Sequence, residues 1–212
     1  MGGAKSSIWP VVHAERRALV EDLIGLETAE WETPSLCAGW AVRDVVAHLA
    51  ATADLSRVGF VREFVRARFS VDRIVERQLA RAREQEASAS LTALRSAVDY
   101  AVSPPLPLIT RVIEIVVHGE DIRRPLGINH VYSTTSIAEA VGYLFGDRSP
   151  GGKERLKGLA LTATDTDFSI GDGPLVKGPA VALLLAASGR VALLDQLSGP
   201  GSSQLVNRLL HA

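Results

Sequence analysis

The 212-residue chain holds a single cysteine, Cys37, so an internal disulfide and any cysteine-rich zinc module are excluded, and a reducing compartment, the cytoplasm, is the expected setting. It lacks an excess of charge of either sign. With 23 Lys and Arg against 24 Asp and Glu, the formal net charge is −1, and nothing global draws the protein to nucleic acid or to an anionic membrane. Neither partner is expected, and only a local basic stripe stays open. Long hydrophobic runs are missing too: the longest, residues 180–187, falls far short of the roughly 18 that a membrane-spanning helix needs. The opening residues, followed by Trp9-Pro10 and then charged positions, contain no apolar signal core. There is no internal repeat and no low-complexity tract. What is abundant is aliphatic, since hydrophobic residues make up 47% of the chain, ample for a packed core in one larger domain or two small ones.

The apolar spacing reads as helix over most of the first 127 residues. Val12, Leu19, Leu23 and Leu26 recur near helical spacing between charged positions, predicting a first amphipathic helix from 11 to about 32. Turn residues then lead through Cys37-Ala38-Gly39-Trp40 into a second helix from about 41 towards 67. Ser70 suits the cap of a third helix with Ile74, Leu79 and Ala82 on its apolar face, continuing or restarting through 91–102, and its Arg, Glu and Gln face reads as solvated. Ser103-Pro104-Pro105-Leu106-Pro107 breaks the chain before a fourth helix that ends at about Arg124, ahead of Pro125-Leu126-Gly127. Four helices with short breaks predict an up-and-down bundle. After residue 127 the pattern changes: helices are predicted at 134–146, 180–187 and 203–210, and strands at 159–164 and 168–170 with a turn at Gly171-Asp172-Gly173-Pro174. The expected organisation is therefore mainly α, a bundle over 1–127 followed by a small α+β domain over 128–212.

Two places in the apolar helices carry polar groups that must be explained. In Arg111-Val112-Ile113-Glu114-Ile115-Val116-Val117-His118, Glu114 and His118 sit four apart, one turn from each other on one helical face. A carboxylate among Ile and Val is costly unless a partner charge, hydrogen bonds or a metal compensates it. A second isolated imidazole, His48, lies in Val45-Val46-Ala47-His48-Leu49-Ala50. His48, Glu114 and His118 would form a three-ligand set that leaves a fourth position for water or substrate, the style of a catalytic metal site. The spacing equally fits a Glu114–Arg111 ion pair with His48 as a core histidine bonded to a carbonyl, and both readings stay open on the residues alone. Trp31 and Trp40 read as packing residues, Cys37 as a buried small side chain at the loop and not a nucleophile, since nothing basic stands beside it in sequence. His13, His130 and His211 have no supporting neighbours, and Glu120 reads as solvated.

The segment from Cys37 through Trp40 to His48, then Glu114-x-x-x-His118-Gly119-x-Asp121, then the short α+β tail, resembles the mycothiol-dependent maleylpyruvate isomerase family of actinobacteria over nearly the whole chain. The resemblance implies a DinB-like four-helix metal-binding domain and a C-terminal domain like the sterol carrier proteins. It also implies a zinc ion on His48, Glu114 and His118, although another first-row divalent metal suits the same donors. Ala38 stands where the family usually has proline, a departure that touches only the turn. Asp121 lies on the same stripe as His118, where it would orient that imidazole, contact a metal-bound water or substrate, or face Arg124. Arg190 falls where the family's tail domain offers an arginine, suited to a dicarboxylate substrate.

On that resemblance, the expected function is a zinc-dependent transferase or isomerase that uses a low-molecular-weight thiol of the mycothiol type on a small electrophilic substrate. In such a site the cation holds the thiol as thiolate at neutral pH. Two other readings compete: a metal-containing small-molecule binding or regulatory module without catalysis, and hydrolysis by a metal-bound water.

Overall fold

The computed structural model describes residues 8–84, 86–146 and 152–211. The chain divides into two compact units, Met1–His130 and Val131–Ala212. Among the described residues, no helix is long and apolar enough to cross a membrane.

The first unit is built from α1 (Trp9–Leu23), α2 (Thr28–Trp31), α3 (Val42–Ala53), α4 (Arg57–Arg66), α5 (Val71–Arg83), α6 (Ala87–Ser96) and α7 (Ile109–Arg123). Pro10 sits in the first turn of α1, where its missing N–H costs nothing. Four of these helices make a bundle: α1 packs on α6 and α7, and α3 packs on the same two from the other side. Their inward residues, among them Val12, Leu19, Val45, Leu49, Leu94, Val112 and Val116, are almost fully buried, and removing this apolar area from water is the main stabilising term.

The helices are more broken than the spacing predicts. The first ends at Leu23 rather than near 32, because Gly25 takes the left-handed conformation (φ +92°) that terminates helices. The second ends at Ala53, and α4 starts afresh with the Ser56 hydroxyl accepting from the Gly59 N–H at 3.1 Å. Between α4 and α5 two consecutive non-glycine residues, Arg68 and Phe69, adopt positive φ (54° and 64°), an uncommon backbone state that reverses the chain. Ser70 caps α5 by accepting from the Arg73 N–H at 3.3 Å, as its sequence predicts. α5 lies outside the bundle on α3. It is fastened there by a bidentate pair from Arg83 to Asp44 at 2.8 and 2.7 Å, while Asp44 also accepts from the Ala41 N–H at 3.1 Å and so caps α3.

The second unit contains α8 (Thr134–Gly146), α9 (Gly152–Leu156), β1 (Ala160–Ala163), β2 (Ser169–Ile170), β3 (Leu175–Gly178), α10 (Ala180–Ala187), a short 3₁₀ turn at Leu194–Gln196 and α11 (Ser202–Leu210). Its sheet runs β2-β1-β3, with Leu161 opposite Ile170 in the antiparallel pair and opposite Val176 in the parallel pair. β3 goes beyond the two predicted strands. Gly171 (φ +87°) makes the turn, and a Cβ there would stand 2.3 Å from the Leu159 carbonyl oxygen, so only glycine fits. α10 is apolar all round and buries Leu183, Leu184 and Leu185 against α8 and the sheet.

Candidate metal centre

The loop before α3 and the middle of α7 come together through hydrogen bonds that the sequence spacing cannot show. Ser35 donates to the Trp40 carbonyl at 2.8 Å and accepts from the Cys37 N–H at 3.1 Å, which winds the loop tightly. The Leu36 N–H then reaches the Asp121 carbonyl of α7 at 3.1 Å. This docking sets the Cys37 thiol against α7, where it donates to Asp121 Oδ2 at 3.0 Å. The same Oδ2 lies 2.9 Å from His118 Nδ1, and Cys37 Sγ is 3.8 Å from that nitrogen. Cys37, His118 and Asp121 thus place one potential ligand atom each within 4.8 Å of one another, a cluster able to hold a metal ion.

Asp121 is fully buried, and a buried carboxylate persists as an acceptor only when hydrogen bonds replace its water. Accepting from Nδ1–H defines the tautomer of His118 and leaves Nε2 with its lone pair, the arrangement in which carboxylates orient metal-binding histidines. Cys37 therefore does more than fill the loop. Its basic neighbour is 81 residues away in sequence, beyond what local reading can detect.

α3 brings His48 to the same place. Its ring meets the His118 ring edge-on at 5.0 Å between centroids and the Trp40 indole at 5.5 Å. Burial pushes the His48 imidazole down to about 3, and the Arg111 charge and the second imidazole of His118 disfavour its protonation further. The ring is neutral at physiological pH. Its Nδ1 is buried with no hydrogen-bond partner, and such an atom is a cost unless something fills the position. Two imidazoles, a thiol and carboxylates are a donor set suited to zinc and similar first-row metals, and an orphaned, neutral imidazole nitrogen among them fits a cation.

Glu114 faces Arg111, whose Nη1 lies 3.0 Å from its Oε2, both side chains being largely buried. The approach is ionic without hydrogen-bond alignment, since Arg111 Nε and Nη1 have no hydrogen-bond partner. Arg16, donating to the Ala97 and Tyr100 carbonyls at 3.2 and 2.9 Å, adds a second buried guanidinium. Burial holds it below its ordinary value, Glu114 opposes that shift and Arg111 adds to it. This corner is thus rich in positive charge, with Glu114 its near carboxylate.

Glu120, expected to be solvated, is 2% exposed and accepts from Arg124 at 2.5 Å. Arg124 is therefore engaged by Glu120. Arg123 pairs with Asp22 at 2.7 Å, and His130 finds Glu15 at 2.8 Å. In the second unit, Arg190 follows α10 and donates to the Ser188 carbonyl at 3.1 Å. Burial lowers the neighbouring Arg155, and the like charge of Arg190 lowers it further.

Residues 12–104 match the profile of the mycothiol maleylpyruvate isomerase N-terminal domain. The structure is similar to the crystal structure of the mycothiol-dependent maleylpyruvate isomerase, with a TM-score of 0.64, 15% identity and 92% of each chain covered. A histidine-to-alanine mutant of that enzyme gives the same values. At this identity the likeness establishes the fold, a mainly helical chain with a small C-terminal sheet. No curated protein sequence matches the chain.

Proposed function

We propose, from the match of residues 12–104 to the mycothiol maleylpyruvate isomerase N-terminal domain, a metal-dependent isomerase or transferase. It uses a low-molecular-weight thiol of the mycothiol type on a small electrophile, in the cytoplasm. The observation that carries this reading is the partnerless, neutral Nδ1 of His48 beside a histidine whose own Nδ1 is held by Asp121.

His48, Glu114 and His118 would hold the ion, zinc by preference for this donor set. When bound, the cation lowers the pKa of a thiol at its open position, and that thiol supplies the nucleophile that adds reversibly to an activated double bond or to another electrophile. The chain's own residues prepare for this. Asp121 takes the Nδ1 proton of His118 in a hydrogen bond and keeps Nε2 free. Arg111 engages one oxygen of Glu114, which leaves the other available. Trp40 stands against His48 and limits its water.

Residues 1–127 are proposed as the metal-binding domain and 128–212 as a partner domain in substrate choice. In the latter, Arg190 would take an anionic group of the substrate.

The test is turnover. Metal-loaded protein is offered maleylpyruvate and a panel of other electrophiles with and without mycothiol. Turnover that requires the thiol, and that His118→Ala abolishes, is the expected result. Binding of metal and thiol with no turnover of any electrophile would leave a binding module instead.

A further inference from the structure

The α4–α5 segment carries a surface the metal centre does not use. Residues 57–83 hold eight arginines against Glu63, Asp72 and Glu76, a local charge of +5 in a chain whose net charge is −1. Among the described residues, Arg57, Arg68 and Arg73 make no salt bridge. The same segment exposes apolar side chains. Val58, Val61 and Val65 are 79, 55 and 56% exposed and, at spacings of three and four, share one face of α4. Phe69 and Val71 continue the edge at 70 and 53%.

This exposure is built. Phe60 stacks on Phe64 at 5.6 Å, and Phe64 meets Phe69 edge-on at 5.6 Å, so Phe60 and Phe64, both half-buried, prop the turn while the valines and Phe69 face out. Arg77 ties α5 to the end of α4 by donating to the Arg66 carbonyl at 3.0 Å. Around the turn a recess of about 340 Å³ is lined by Arg66, Ala67, Arg68, Arg73, Glu76 and Arg77, four guanidiniums to one carboxylate.

We propose that the α4–α5 turn docks on an anionic phospholipid surface, with the Val58–Phe69 edge entering the headgroup layer and the surrounding arginines engaging lipid phosphates. Both halves of the pattern are needed to choose the occupant. An apolar face ringed by arginine matches an interface that is anionic outside and apolar just below. A second copy of this chain would bring like charges face to face across a two-fold axis. Nucleic acid would meet the arginines but leave the valines and Phe69 without apolar contact.

Cosedimentation of the full chain with vesicles tests this, using equal parts phosphatidylglycerol and phosphatidylcholine against phosphatidylcholine alone. Binding to the anionic vesicles only is expected. Arg68→Ala and Arg73→Ala should each weaken it about fivefold. Phe69→Ser should weaken it at high salt, where the electrostatic part is screened. All three positions are exposed, so unchanged circular dichroism and Tm would show that the fold is kept. No binding to the anionic vesicles, equal binding by the Phe69→Ser and Arg68→Ala variants and the wild type, tighter binding to duplex DNA, or a dimer that Phe69→Ser dissociates would each overturn the proposal.

Discussion

Helices α4 and α7 are both rich in valine and arginine, yet one buries no residue and the other buries ten, four of them charged. On α7 each buried charge has been given a partner: Arg123 has Asp22, Glu120 has Arg124, Asp121 has His118 and Cys37, and Arg111 faces Glu114. On α4 the arginines remain in water, with Glu63 their internal partner. Burial thus turns similar residues into two different kinds of surface. A charge taken out of water must be neutralised or hydrogen-bonded, so α7 has become a set of oriented donors and acceptors. A charge left in water contributes little to stability and stays available for a partner.

The largest expected effect lies on α7. Asp22→Ala takes the carboxylate from the buried Arg123 guanidinium and should cost about 3 kcal/mol, read as a lowered urea midpoint. A loss below 0.5 kcal/mol would show that the buried ion pairs do not hold α7 in place. Next comes Asp121→Asn, which removes the carboxylate from His118. Metal affinity, measured by competition with a chelator, should fall about 10- to 100-fold while the fold survives. Unchanged affinity would detach Asp121 from the centre.

At Asp44 the expected effect depends on pH. Burial raises its carboxyl, but the Arg83 guanidinium and the Ala41 N–H more than offset that and hold it below its ordinary value of 3.8. A carboxyl depressed in the fold stabilises above its unfolded value and loses that contribution as the pH falls through the folded one. The stability gap between wild type and Asp44→Asn should therefore be constant above about pH 5 and close below about pH 4. A gap independent of pH would contradict it. The smallest effect belongs to α4, where Val61→Ser should change stability by less than about 0.5 kcal/mol.

How far these features could be read from sequence follows the same division. The spacing of Glu114 and His118 declared one face of α7 because helical periodicity is local. The Pro-containing break before that helix was legible for the same reason, as was Ser70 as a cap. The break between α3 and α4 was not, since the stretch from 41 towards 67 reads as one helix, and the positive φ of Arg68 and Phe69 was not, since neither residue carries a preference for it. β3 is four residues long and pairs in parallel with β1, a partnership that nothing local announces. Cys37 and Glu120 were misread for one reason: the role of each depends on neighbours that only the folded chain provides. Composition hid the basic edge as well, because the remainder of the chain cancels its charge.

The most direct measurement is metal content by elemental analysis of the wild type and of His48→Ala, purified without chelators, together with a mycothiol titration of both. Near-stoichiometric zinc in the wild type, lost in the variant along with thiol binding, is the predicted result. A wild type free of metal, or a variant that keeps both metal and thiol, would contradict the metal centre and leave His48, Glu114 and His118 as a buried polar network.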